Sequence, residues 1–214
     1  MEKELRNRWD DVTTFMQPEA RDRWWNRIVD AYRSRPFRGL SHLSQMFFLY
    51  DKHKDQLKER YGCAVAIFFK NIVYDAHDSQ CTEKSVQVFN EFAQGTTLDQ
   101  QSYVTDLINQ SASSSTEANL TPGAVGTEDV HYLIDFDMAF LGDEDFDRHE
   151  KAIRKEYPEL SDEDYRKMRL RVLTFFLQIP NIYATAPIRE EREGKARENI
   201  QKEIGLLEAG NRTY

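Results

Sequence analysis

Apolar residues recur along this chain at helical spacing. Leu5, Trp9 and Val12 fall on one face, Phe15 and Met16 follow, and Pro18 ends or restarts the helix. Trp24, Trp25, Ile28, Val29 and Tyr32 form a second stripe, closed at Arg35-Pro36, and Leu40, Leu43, Met46, Phe47 and Tyr50 form a third. The run from Val65 to Val73 is apolar nearly all round, which predicts a helix buried at the centre of a bundle. Further helices are predicted over 83–92, 98–110, 143–157, 161–178 and 188–207, with Ser161 and Asp164 placed as a capping box. One stretch breaks the rhythm. Residues 111–127, SASSSTEANLTPGAVGT, are small and polar and carry Pro122-Gly123, so they read as a surface loop or a disordered excursion. The expected architecture is all-α: one helical domain over 1–214 with one long polar loop near 111–127.

Composition narrows the class without changing that picture. With 40% hydrophobic and 31% charged residues among 214, the chain is neither collagen-like, nor low-complexity, nor a disulfide scaffold. No apolar stretch reaches the roughly 20 residues that span a bilayer, and the first segment is charged where a secretory leader would be apolar. The expectation is an intracellular protein, cytoplasmic or nuclear, with no membrane contact. Net charge −8 argues against direct nucleic-acid binding, because phosphate contacts need clustered Lys and Arg. The one basic concentration, six arginines between Glu19 and Arg38, reads as a solvated helix face. Cys63 and Cys81 lack metal or redox spacing and read as reduced thiols.

Several strings in order resemble the HD superfamily of metal-dependent phosphohydrolases, named for a His-Asp metal-binding doublet. They are Arg8-Trp9, Tyr32 with the run from Arg35 to Leu43, and Ala66 to Asp75. Leu133 to Gly142, Ile153 to Tyr157, Arg169, Ile182-Tyr183 and Glu193 with Ala196-Arg197-Glu198-Asn199 follow. The resemblance runs over nearly the whole chain and implies a helical bundle. It also implies a metal held by a first His, the His-Asp doublet and a later Asp, which activates water against phosphate.

At the chemistry this sequence departs from the pattern. Arg38 stands at the first ligand, Lys70-Asn71 stand at the doublet, and only Asp135 survives of four; His42 matches a neighbouring His. Arginine keeps its proton and offers no lone pair, an ammonium offers only donors, and Asn71 keeps a carbonyl oxygen without charge. One positive charge about 4 Å from a divalent ion costs about 8 kcal/mol at an effective dielectric near 20. The expectation is therefore no metal, no cofactor and no hydrolysis, with Lys70 or Arg38 pairing Asp135 in a vestigial pocket of Arg38, His42, Lys70, Asn71 and Asp135. What remains is an adaptor or regulatory protein that binds a protein partner of unspecified identity; an oligomer is also compatible. Two alternatives stand beside it. One is residual phosphohydrolase activity through Asp135, His42 and the His77-Asp78 pair. The other is a phosphate or nucleotide sensor using Arg38 and Lys70.

Other candidates take plainer readings. His53, His77, His131 and His149 show no paired ligand spacing. The acidic run from Asp143 to Asp147 reads as a helix N-terminus, since it lacks the glycine and terminal Glu of a calcium loop. Adjacent helical positions point about 100° apart, so Trp24 and Trp25 do not both face inward easily, and one of them is expected to cover a partner.

Overall fold

The computed structural model describes residues 1–210, and among them it is helical throughout, with no strand. The all-α expectation is correct. No helix among the described residues is long and apolar enough to cross a membrane. Among the described residues the chain groups into two compact units, 1–112 with 128–136, and 113–127 with 137–210.

The first unit holds α1 (Glu2–Val12), α2 (Pro18–Arg33), α3 (Leu40–His53), α4 (Arg60–Lys70), α5 (Cys81–Gln94) and α6 (Gln101–Gln110). Its centre is α4, whose residues from Gly62 to Phe69 are all buried, as the all-round apolar run predicts. Aromatic rings close around it. Trp9 of α1 is fully buried, with its ring centroid 5.3 Å from Phe68 and 5.5 Å from Phe92. The polar ends of these large side chains find backbone partners, as burial demands. Trp9 Nε1 donates to the Arg21 carbonyl at 3.0 Å, and Tyr32 Oη to the Phe68 carbonyl at 3.0 Å. Tyr61 Oη donates to the Val12 carbonyl at 2.6 Å, and burial pushes that phenol up to about 12, so it stays a donor.

Of the two candidates for an aromatic partner surface, Trp25 is buried in this packing and Trp24 is half-buried at its border. Trp25 is 6% exposed, with Arg6 over its ring. Trp24 meets Phe92 edge-on at 5.3 Å and Phe69 at 6.1 Å, with Arg27 over its face. A ring at the border of the core needs only one inward edge, and its outer face is taken by a guanidinium.

The second unit holds α7 (Glu117–Leu120), a 3₁₀ turn over Ala139–Gly142, α9 (Phe146–Arg154), α10 (Asp162–Gln178) and α11 (Ala186–Glu208). Ser161 caps α10, its hydroxyl accepting from the Asp164 amide at 3.1 Å. The 111–127 segment is not plain loop. It carries α7, opened by a capping box between Thr116 and Asn119, and Asn119 is fully buried. Between α7 and α9 lies α8 (Asp129–Met138), a helix absent from the predicted set; from Val130 to Met138 only His131 is not buried. A helix covered on all sides shows no apolar stripe.

Two glycines make a paired test. A Cβ built on Gly39 would lie 2.7 Å from the Arg35 carbonyl oxygen and 3.0 Å from that of Tyr32, both backbone atoms. Gly39→Ala is expected to cost about 1–3 kcal/mol through overpacking. Gly194, inside α11, has nothing within 4 Å, so Gly194→Ala is expected to stabilise by about 0.5–1 kcal/mol through helix propensity. Thermal unfolding reads both, at about 2–4 °C per kcal/mol for a chain of this size. Equal shifts of one sign would refute the assignment.

Candidate functional site

Four of the five pocket residues gather at the ends of α3 and α4 in the first unit. Arg38 precedes Gly39, the N-cap of α3, and its φ of +43° lies in the left-handed region that costs a non-glycine residue about 1–2 kcal/mol. Its guanidinium lies 5.6 Å from the Phe37 ring centroid and 5.3 Å from that of Tyr74. The buried His42 ring lies 5.6 Å from the same Phe37. Arg35 closes the cluster from the other side, 4.8 Å from the Tyr32 ring and 5.8 Å from Tyr74. It donates to the Asn71 carbonyl and, at 2.7 Å, to that of Ile72, so the C-cap of α4 is gripped by an arginine.

Lys70 is the last residue of α4, and its Nζ donates to the Ser111 carbonyl at 2.7 Å. Asp135, on α8, is fully buried. Burial raises the Tyr132 phenol on the same helix, and the charges of Asp135 and Asp129 add to that rise.

These residues do not suit the divalent metal that the resemblance implies. Among the described residues, no three His, Cys, Asp or Glu side chains converge as a cation site. The donor set carries protons where lone pairs would be needed, and the Lys70 ammonium donates to a carbonyl oxygen. His77 and Asp78 sit in the turn before α5. The Asp78 carboxylate is held by Lys84 at 2.5 Å and by the Gln80 amide, which lower it.

Other motif residues act as fasteners of backbone. Glu193 accepts from the Ile182 and Tyr183 amides at 2.9 and 3.1 Å. Arg197 donates to the carbonyls of Leu177, Ile179 and Pro180, and Asn199 Nδ2 donates to those of Leu141 and Asp143 at 2.9 Å each. Gly142 lets the 3₁₀ turn approach α11, where a Cβ would meet Arg192 Cβ at 2.9 Å. Asp143, from the acidic run, bonds His149 at 2.7 Å and Arg192 at 2.8 Å. Burial would raise its carboxyl, but these two bonds outweigh that and lower it. It serves as a structural acid.

One buried constellation escaped the sequence reading. Asp129, 2% exposed, accepts from the Lys58 and Glu59 amides at 2.8 Å each and from Tyr103 Oη at 2.5 Å. Glu59 is the N-cap of α4, so a carboxylate from α8 serves the N-terminus of the central helix. Gly62 makes room for this, since its missing Cβ would stand 2.8 Å from the Tyr103 ring. Burial raises the nearby Cys63 thiol, with Asp129 adding, which keeps it protonated and inert. Nothing in the local pattern around Asp129 signals this role; its partners lie up to 71 positions away.

The chain matches no protein-family model, no curated protein and no solved structure.

Proposed function

We propose that this chain is a non-catalytic, HD-like helical protein that acts inside the cell by binding a protein partner, its ancestral metal site given over to structure. The observation that carries this reading is Lys70. At the position where the resemblance calls for a metal-binding His, an ammonium donates one of its three N–H groups to the Ser111 carbonyl and so ties the end of α4 to the residue after α6. Arg38, at the first ligand position, stacks on two aromatic rings, and a guanidinium does not deprotonate to become a ligand. In this reading the Asp135 carboxylate is balanced by these bases in place of a metal. The fasteners around Glu193, Arg197 and Asn199 fit the same view, because a fold can be kept by such contacts after its chemistry has gone.

Elemental analysis after incubation with manganese, combined with phosphate release from a nucleotide panel, tests this. The parent chain is expected to hold sub-stoichiometric metal and to release no phosphate. The triple variant Arg38→His/Lys70→His/Asn71→Asp, which restores lone-pair donors, is expected to gain metal. Stoichiometric manganese in the parent chain, or turnover abolished by Asp135→Asn, would end the reading.

A further inference from the structure

The first turn of α8 is closed by a side chain that titrates. His131 is the third residue of α8, and its Nδ1 accepts from the Glu128 amide, just before the helix, at 3.0 Å. That is the back-reaching bond of a capping box, made by an imidazole where Glu or Gln is usual. A ring nitrogen accepts only while it carries no proton, so the bond selects the neutral ring with its proton on Nε2. A second proton would turn this acceptor into a donor facing another donor. It would also place a cation at the helix end whose free amides repel one.

The surroundings of the ring favour the same state. The charged groups that act on it are Glu128, on its own turn, and Lys58, on the segment leading into α4. These two pair with each other at 2.6 Å, so their opposite fields largely cancel at the ring. Burial is the largest influence and, with Lys58, holds the imidazole below its ordinary value. From Val130 to Met138 only His131 is half-buried, so water can deliver a proton to it. The turn it closes also carries Asp129. That carboxylate accepts from the Lys58 and Glu59 amides at the start of α4 and from Tyr103 Oη. Fraying of residues 128–131 would withdraw it from all three.

We propose that His131 is a proton-operated latch: the neutral ring closes the first turn of α8 and keeps Asp129 seated on α4, and the protonated ring opens both. The closed turn prefers the neutral ring. Its stabilisation is therefore fully present above the open-state value of about 6.5 and is lost as pH falls through the lower closed-state value. Between about pH 7.5 and about pH 5 an open-state value of about 6.5 limits the rise in opening to about 30-fold. This window lies above that of the Asp129 carboxylate itself, which gains its proton only below about 3.9. The inference stands apart from the metal-free reading above and survives or fails independently of it.

Nitrogen-15 NMR of the histidine rings and amide hydrogen exchange, both on the full chain across that pH range, test it. The neutral His131 ring is expected to carry its proton on Nε2 and to titrate below about 6.5. With intrinsic exchange rates divided out, protection of the Glu128, Lys58 and Glu59 amides is expected to fall together on acidification, by several-fold and by no more than about 30-fold. His131→Gln keeps an acceptor at this position without a titrating proton, and should hold its protection level at both ends of the range. His131→Ala should lack it at both. The ring titration needs no variant, so it decides the matter if a variant folds poorly. A proton on Nδ1, a ring that titrates at or above about 6.5, protection that stays level at any of the three amides, or an equal fall in His131→Gln overturns the proposal.

Discussion

Glu203→Ala is expected to destabilise the protein by about 3–5 kcal/mol, because it removes the carboxylate half of a buried, doubly bonded ion pair. Glu203 is fully buried on α11, and Arg169 on α10 is 7% exposed. Two bonds join them side by side: Arg169 Nε to Oε1 and Nη2 to Oε2, both 2.8 Å. That parallel geometry is the strong form of the pair, but its desolvation offsets much of its attraction. The pair is therefore costly to break and nearly neutral to replace. Arg169→Met/Glu203→Leu should recover most of the loss, within about 1–2 kcal/mol of the parent chain. Urea unfolding of the two single variants and the double measures the coupling as a cycle. A single variant within about 1 kcal/mol of the parent would mean that water reaches the pair and that other contacts hold α10 against α11.

The second large effect belongs to Asp129. Asp129→Ala removes the acceptor of two backbone amides and a phenol at once, and is expected to cost about 3 kcal/mol or more. The pH dependence follows from the direction of its shift. Burial alone would raise the carboxyl, but the bonds from Tyr103, Lys58, Glu59 and Cys63 outweigh burial and hold it below the ordinary value. The folded state therefore favours the ionised form. Its stabilisation is fully present above the unfolded pKa of about 3.9 and is lost as pH falls through the lower folded value. Unfolding free energies measured from about pH 6 down to about pH 3 should decline in the parent chain. Asp129→Asn is less stable at neutral pH and should show a shallower acid decline. Parallel acid limbs in the two chains would refute the role given to this carboxylate.

Much of the fold was legible because its signals are local. The stripe of Trp25, Ile28, Val29 and Tyr32 declares an amphipathic helix, and Ser161 with Asp164 declares a helix start, through neighbours no more than a few turns apart. That Arg38 and Lys70 offer protons in place of lone pairs was equally legible, since it depends only on what kind of atom each side chain offers. By contrast, α8 was missed because Asp129, Asp135 and Asp137 are buried acids among apolar residues, which blurs any polar face. The 111–127 segment looked like loose chain because its composition is small and polar, yet Asn119 and Asn181 reach across 62 positions to hold it. Which of Trp24 and Trp25 faces inward was not legible, and only packing decided that Trp25 is buried while Trp24 sets an edge against Phe69 and Phe92.

The chain by itself determined that this protein is helical, where most helices lie, and which atoms are offered where the resemblance calls for metal ligands. These follow from periodicity and from side-chain chemistry, properties each residue carries with it. Tertiary structure alone decided that Lys70 is bound to Ser111, that Asp129 serves α4, and that Glu193, Arg197 and Asn199 fasten backbone. Those assignments depend on which polar groups are shut away from water together, and that pairing is set by packing between residues distant in sequence.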